Sequence, residues 1–395
     1  MATFTVDFLG CKVSHADVQE IRERLASSGH TETRAEADVA VVSTCCVTRE
    51  AVSKSRKAAR QAARRAGRVY LTGCAANLDG AFAGLPDNVT VVALPSERAA
   101  DFVAGDVGSI GCVKASFGLD RVRAFVKIQD GCSFTCGFCV IPQVRGASRS
   151  RPAEAVLAEI CRRVAQGHRE IVLTGINLGC YRDRRAGYTL PRLVREAGST
   201  PGLARLRLSS VEVNHVSEEL LAAMRETSTV SPHLHVPLQS GDDGVLEAMG
   251  RRYTVRTYLR RLALADGFNL TTDAIVGFPG EDERAFDRTL DVVERAGITK
   301  VHVFPYSPRP GTRTAAEDTV PPEVKRQRSE RLRAASREAC LKAWRRKIGQ
   351  DDVVLVDRPG RGYGDNYFPW LVGGRVGEVV RVRAREVTEE GILAA

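Results

Sequence analysis

No apolar run in the 395-residue chain approaches the roughly 20 residues that a membrane span requires. The opening stretch, MATFTVDFLGCK, carries neither a basic leader nor the apolar segment of a signal peptide. These two absences lead us to expect a cytoplasmic protein with no membrane partner. Paired cysteines are also missing. The eleven cysteines are odd in number, and in a chain without an export signal that argues against a disulfide framework. In DGCSFTCGFCVIP, residues 130–142, the loop holds three thiols, Cys132, Cys136 and Cys139, whereas a closed structural zinc site takes four ligands. The chemistry left is an iron-sulfur cluster, because closely spaced cysteines can each take a different iron of one cube. Three thiolates leave one iron open. Metal sites keep an open position when they must bind a substrate or cofactor.

What is present is length, apolar content and positive charge. With 43% hydrophobic residues the chain can bury a large core, and at about 150 residues per domain it should form two or three domains. The net charge of +10 is unevenly spread. Residues 321–349 hold ten Lys or Arg against three Glu, a segment charge of +7, and RKAARQAARRAGR at Arg56 to Arg68 is a second basic run. Two such runs point to a polyanionic partner, the alternative for each being a solvated helix face.

The first hundred residues alternate apolar runs with helical patterns, as a parallel sheet with crossover helices does. The expected strands are Thr3–Gly10, Asp38–Thr44 and Arg68–Gly73, each followed directly by a cysteine: Cys11, Cys45 and Cys74. In an open parallel sheet these three share the carboxyl-end crevice where such folds bind ligands, so a second ligand set is expected there. The turn-rich stretch from Ala104 to Asp120 reads as a linker. Six further strands are expected at Arg123–Gln129, Arg169–Thr174, Ala204–Ser209, His233–Leu238, Leu270–Val276 and Lys300–Pro305. With helical patterns between them they make a partial (β/α)6 barrel, whose chemistry gathers at the carboxyl ends of its strands. The three-cysteine loop follows the first of these strands. Polar and glycine-rich strand ends at Thr174–Asn177, Ser209–Glu212, Pro237–Gly241, Val276–Glu281 and Phe304–Thr312 fit a pocket for a medium-sized polar cofactor.

The fold class is therefore α/β with a small all-β end. The expected division is an α/β domain over 1–104, a barrel over 120–320, a basic connecting helix over 321–349 and a small β-barrel over 350–395. In that last barrel Tyr363, Tyr367, Phe368 and Trp370 are expected chiefly as core, with base stacking as the alternative.

The spacing C-x3-C-x2-C at Cys132, Cys136 and Cys139 resembles the signature of the radical S-adenosylmethionine superfamily. With Cys11, Cys45 and Cys74 added, the chain resembles a methylthiotransferase of that superfamily from end to end. Such enzymes have an amino-terminal α/β domain, a radical barrel and a small RNA-binding barrel called TRAM. GCKV at Gly10 to Val13, LTGINLG at Leu173 to Gly179 and VHVFPYSPRPGT at Val301 to Thr312 look most like one branch. That branch acts on carbon 2 of N6-threonylcarbamoyladenosine beside the anticodon of tRNA. Sister branches modify isopentenyladenosine in tRNA or an aspartate of a small-subunit ribosomal protein.

The resemblance implies two 4Fe-4S clusters. One, on Cys132, Cys136 and Cys139, chelates S-adenosylmethionine at its open iron and cleaves it to a 5′-deoxyadenosyl radical. The other, on Cys11, Cys45 and Cys74, carries the sulfur that is methylated by a second S-adenosylmethionine and delivered to the base. S-adenosylmethionine is thus both methyl donor and radical source. Phe138 would pack on the adenine, Thr174, Gly175, Asn177, Ser209, Ser210 and Gln239 would hold methionine and ribose, and Gly277 would let backbone approach closely. Arg331, Arg345, Arg346 and Lys347 on the basic helix, with the terminal barrel, would grip the phosphates of the anticodon stem-loop. A low-potential electron donor of flavodoxin or ferredoxin type and a sulfur donor complete the implied partners. By register with the family, Cys45 is the ligand and Cys46 a small apolar side chain. Cys112, Cys161, Cys180 and Cys340 receive no role. The rival from another class is a non-catalytic RNA-binding protein stabilised by zinc.

Overall fold

The computed structural model describes residues 1–108 and 122–395. Most of the expected linker, and Cys112 with it, lies outside the described residues; its first residues finish the helix Ser96–Val107. Among the described residues no helix is long and apolar enough to cross a membrane. The chain gathers into two units, one of residues 1–108, 130–149 and 307–315 and the other of 122–129, 150–306 and 316–395.

The first unit is built on a five-stranded parallel sheet in the order Thr31–Glu32, Thr3–Phe8, Ala37–Thr44, Ala66–Gly73, Val89–Val91. Val41, Val42 and Leu71 in the central strands are fully buried, as continuous apolar runs must be when helices cover both faces of a parallel sheet. Helices Lys12–Ser27, Arg49–Ala63 and Ser96–Val107 supply that cover. Thr48 caps the second of them, accepting from the Ala51 N–H at 3.0 Å. The first strand stops at Phe8, so Cys11 stands three residues beyond it rather than one. The chain turns into its helix at Gly10 (φ +156°), where a Cβ would meet the Ser14 side chain at 2.7 Å.

In the second unit Arg123–Lys127, Glu170–Thr174 and Arg205–Leu208 pair in parallel, as do His233–His235, Asn269–Val276 and Lys300–Pro305. A parallel bridge from Ser210 to His235 joins the two triplets. The six strands follow chain order, which is the partial (β/α)6 barrel expected. Ser217, Asp242, Thr254 and Asp282 each cap the helix that follows them. The helix Pro322–Arg345 leads to a closed five-stranded barrel in the order Asp351–Arg358, Arg361–Tyr363, Pro369–Leu371, Ile392–Ala394, Val379–Val387. Trp370 and Phe368 fill that barrel's core beside Val354, Val356 and Trp344.

At the amino ends of the first three barrel strands lies a buried charge cluster. Glu170, 1% exposed, accepts from Arg123 Nε and, at 3.0 Å, from Arg207 Nε; Arg205 stands 4.0 Å away. The same arginines hold the small barrel: Arg205 donates to the carbonyls of Tyr363 (2.6 Å) and Val353 (2.8 Å), and Arg207 to that of Gly364 (3.0 Å). Tyr363 and Tyr367, with ring centres 4.8 Å apart, lie under the Arg123 guanidinium at 5.2 and 5.3 Å. Their faces take part in a cation–π contact within the fold.

Burial alone would raise the Glu170 carboxyl, but Arg207, Arg123 and Arg205 outweigh it and hold the group below its ordinary range. Its contribution to stability is therefore complete above that ordinary range and fades as the pH falls through the lowered folded value. Glu170→Gln leaves buried guanidiniums without their anion, and a loss of about 3 to 5 kcal/mol is expected. Urea unfolding followed by far-UV circular dichroism should show the lower midpoint at neutral pH. The difference should shrink once acid protonates Glu170 in the parent protein.

Candidate functional site

In the first unit two sets of cysteines occupy loops. Cys11 is exposed at the start of the helix Lys12–Ser27, its Sγ 3.8 Å from Ser14 Oγ. Cys45 follows its strand directly, with its N–H on Ser55 Oγ at 3.1 Å. Cys74 opens the 3-10 turn Cys74–Asn77 and is 4% exposed. The turn depends on Gly73 (φ +89°), where a Cβ would lie 2.6 Å from the Thr44 carbonyl. Burial pushes the Cys45 thiol up, and Cys74 and Cys11 push it further. The three cysteines stand at the carboxyl ends of three adjacent strands.

Cys46 is fully buried among Ala40, Val42, Ala59 and Leu71. It is more than an apolar filler, because its thiol also donates to Cys74. That bond and its burial push Cys46 far above the ordinary thiol value. The same bond, aided against burial by Arg145, draws Cys74 down to about 7. Arg145 itself donates from Nε to Cys74 Sγ at 3.0 Å.

The three-cysteine loop is shaped by its backbone. Gly131 (φ +68°) leaves no room for a Cβ, which would sit 2.1 Å from the Ala147 carbonyl. Cys132 N–H donates to Gly146 O at 3.0 Å, Phe134 N–H to Cys132 Sγ at 3.4 Å, and Cys139 N–H to Cys136 O at 3.1 Å. All three cysteines and Phe138 are half-buried. Thr314 closes on the loop, its N–H and Oγ1 both donating to the Gly137 carbonyl at 3.1 and 3.0 Å. Among the described residues no three His, Cys, Asp or Glu side chains converge on a position for a single metal ion.

In the second unit the carboxyl ends of adjacent barrel strands carry buried polar atoms with nothing to bond. Thr174 Oγ1, Asn177 Oδ1 and Ser209 Oγ have no hydrogen-bond partner, a condition that calls for an explanation in any folded protein. Thr174 ends its strand and Ser209 follows the neighbouring one. Asn177 is oriented through its N–H, which donates to Gln129 Oε1 at 2.8 Å. Gly175 makes room for that Gln129 side chain, which a Cβ would meet at 2.9 Å. Ser210 is half-buried beside these. Gln239 holds a left-handed backbone (φ +68°), its N–H on Asp273 O and its carbonyl accepting from Ile275, both at 2.9 Å. This donor set suits a ligand rich in polar groups.

Gly277 departs from expectation. The space over it is filled by the stem of Lys325, 2.3 Å from where a Cβ would stand, so its lack of a side chain admits a helix and no ligand. The basic helix is also less free than its composition suggests. Lys325 pairs with Asp318, Arg328 with Glu281 at 2.9 Å, Arg326 with Glu330 at 3.0 Å, and Arg331 with Glu283 and Asp287. Arg331 thus shares its charge with two carboxylates while its side chain stays 47% exposed. Arg345 and Arg346 are exposed, and Lys347 lies 3.6 Å from Asp352.

Sequence reasoning missed Arg145, Gln129 and Glu170. Only Arg145 left a trace, as a charge inside the short apolar stretch that follows the cysteines.

The chain matches the Radical SAM superfamily over residues 126–293 and the Uncharacterized protein family UPF0004 over residues 3–92. It is 34% identical to the "Threonylcarbamoyladenosine tRNA methylthiotransferase MtaB" of Thermotoga maritima, covering 100% of this chain and 97% of that one. The protein of the same name from Chlamydia pneumoniae is also 34% identical, over 99% of this chain and 97% of that one. A "tRNA-2-methylthio-N(6)-dimethylallyladenosine synthase" of Cereibacter sphaeroides is 33% identical over 95% and 94%. Among solved structures, the radical S-adenosylmethionine methyltransferase TsrM of Kitasatospora setae shares the fold, with a TM-score of 0.56 over 80% of this chain and 77% of that one at 14% identity. The chain belongs to the radical S-adenosylmethionine methylthiotransferases. Within that family its whole-length relatives include the threonylcarbamoyladenosine enzymes.

Proposed function

We propose that this protein transfers a methylthio group to carbon 2 of N6-threonylcarbamoyladenosine next to the anticodon of tRNA. Two cysteine triads, each on backbone shaped for it, within a chain related from end to end to threonylcarbamoyladenosine methylthiotransferases, carry this reading. When bound, the two clusters and S-adenosylmethionine supply the electron, the methyl group and the sulfur. Cys132, Cys136 and Cys139 hold the first cluster and Cys11, Cys45 and Cys74 the second. Thr174, Asn177 and Ser209 offer their unpartnered oxygens to the polar groups of S-adenosylmethionine, Gly175 and Ser210 border them, Gln239 shapes the neighbouring strand end and Phe138 packs on the adenine.

Arg345, Arg346 and Lys347 meet phosphates of the anticodon stem-loop. A flavodoxin- or ferredoxin-type donor brings the electron, a separate donor restores the sulfur, and the work is done in the cytoplasm beside the tRNA pool. The Cereibacter relative gives isopentenyladenosine the next claim as substrate. Mass spectrometry of tRNA nucleosides from cells lacking this protein decides between them: the methylthio form of threonylcarbamoyladenosine should vanish, and loss of the isopentenyl form instead would overturn the assignment.

Anaerobic reconstitution should load two four-iron clusters. Changing Cys132, Cys136 and Cys139 together to Ala should remove about half of the iron and all reductive cleavage of S-adenosylmethionine. Cys45→Ala should lose the second cluster and keep that cleavage, while Cys46→Ala should retain both clusters; the opposite pattern would give Cys46 the ligand role.

Binding of an anticodon stem-loop should weaken steeply with salt. Setting aside the paired Lys325, Arg326, Arg328 and Arg331, roughly five contacts give a log-log slope of about −3.5 to −4.5. A slope near zero in a fluorescence anisotropy titration would mark these charges as a solvated face.

A further inference from the structure

Arg145 ends the short helix Ile141–Arg145 behind the three-cysteine loop, yet its guanidinium lies on the other triad. The side chain is only 6% exposed. Nε donates to Cys74 Sγ at 3.0 Å. Nη1 reaches both oxygens of Asp130, at 3.0 and 3.2 Å, and Nη2 reaches Asp17 Oδ2 at 2.9 Å and Ser14 Oγ at 3.4 Å. Asp130 stands two residues before Cys132, and Ser14 is the residue whose hydroxyl neighbours Cys11. One guanidinium therefore ties the base of one cysteine loop to two of the three sulfur-bearing turns of the other. The cavity beside it, bordered by Asp17, Asn77 and Asp130, has about 20 Å³, room for about one water. Little solvent screens the charge.

We propose that Arg145 is the positioning residue of the second cluster, fixing the Cys74 sulfur and raising the reduction potential of what that sulfur binds. The inference rests on Cys11, Cys45 and Cys74 being cluster ligands, as argued above. The physical cause is direct. A cluster gains negative charge on reduction, and both an N–H donated to a ligand sulfur and a buried cation stabilise the more negative state. The two carboxylates hold the guanidinium in place and leave its Nε–H aimed at sulfur. Lysine keeps the charge but lacks the planar fork that serves Asp130, Asp17 and Cys74 at once.

The test uses the full chain carrying Cys132→Ala, Cys136→Ala and Cys139→Ala, reconstituted anaerobically, so that any remaining cluster is the second one. Into it go Arg145→Lys and Arg145→Gln, and a redox titration is followed by electron paramagnetic resonance. Arg145→Gln should make reduction at least tenfold less favourable, a fall of 59 mV for a one-electron couple, with Arg145→Lys between it and the parent. Loss of iron in Arg145→Gln with an unchanged melting curve of the iron-free protein would equally support a positioning role at Cys74. An unchanged potential with iron retained overturns the proposal. So does loss of iron together with an earlier melt of the iron-free protein, which would make Arg145 a strut of the fold alone. Absence of iron from the triple-alanine parent would instead overturn the second ligand set itself.

Discussion

The barrel unit depends on a carboxylate shared among guanidiniums. Glu170 opens its strand inside the fold, and three arginines from the two strands beside it converge on it. A buried cluster of this kind holds only if each member finds partners, since a single unpaired charge costs several kcal/mol. The small carboxyl-terminal barrel supplies the remainder: carbonyls of Val353, Tyr363 and Gly364, the carboxylate of Asp365 at 2.5 Å from Arg205, and two tyrosine faces. Those strands thus divide their chemistry by end. At the amino end the small barrel supplies partners to the arginines around Glu170. At the carboxyl end Thr174 and Ser209 keep hydroxyls with nothing to bond. Stability and binding occupy opposite ends of the same few strands, the division seen in closed barrels of this topology.

The helix Pro322–Arg345 runs from one of those ends to the other. Its 24 residues span about 36 Å at 1.5 Å per residue. Near its start Lys325 lies over Gly277 at a strand's carboxyl end; further on Ser336 Oγ accepts from the N–H of Val301, near the amino end of its strand; at its close Trp344 enters the core of the small barrel. The basic residues are sorted along this path. Those of the first half are consumed by Asp318, Glu281, Glu283 and Asp287, which pin the helix to the barrel, while Arg345 and Arg346 remain turned to solvent.

The strands and the cysteines were legible because their signals are local. Apolar runs of five to eight residues between helical patterns define parallel strands, and a thiol one to three residues past a strand must lie at its carboxyl end. What stayed hidden depends on partners distant in sequence. The +7 of residues 321–349 counts charges but cannot see the acids of another helix, so Arg331 read as free. Gly277 read as a place for a ligand because a missing Cβ does not say what fills the space. Tyr363 and Tyr367 carry no mark that separates a base-stacking face from one lying under Arg123. Glu170 looked like an ordinary start to a strand.

Cations brought from elsewhere in the chain are the final requirement of the sulfur-rich first unit. Sulfurs gathered at neighbouring strand ends favour a positive charge close by. Arg145 meets Cys74 from behind one loop. Arg309, 3% exposed, donates to the Cys46 carbonyl at 3.4 Å and to Ser307 Oγ at 2.6 Å, and its charge opposes the rise at Cys46. The segment that carries it, residues 307–315, also accepts a hydrogen bond at Gly311 from Gln143 at 2.6 Å and gives two from Thr314 to Gly137. This segment, which overlaps the strand end expected at Phe304–Thr312, therefore touches the backbone of both cysteine loops. Its composition suits those contacts. Gly311 takes a left-handed turn (φ +76°) where a Cβ would strike Gln143 at 2.8 Å, and prolines on either side of Arg309 limit the conformations the segment would lose on ordering. Two sites read from separate stretches of sequence are thus held by one short segment and one buried arginine, neither of which carries a thiol.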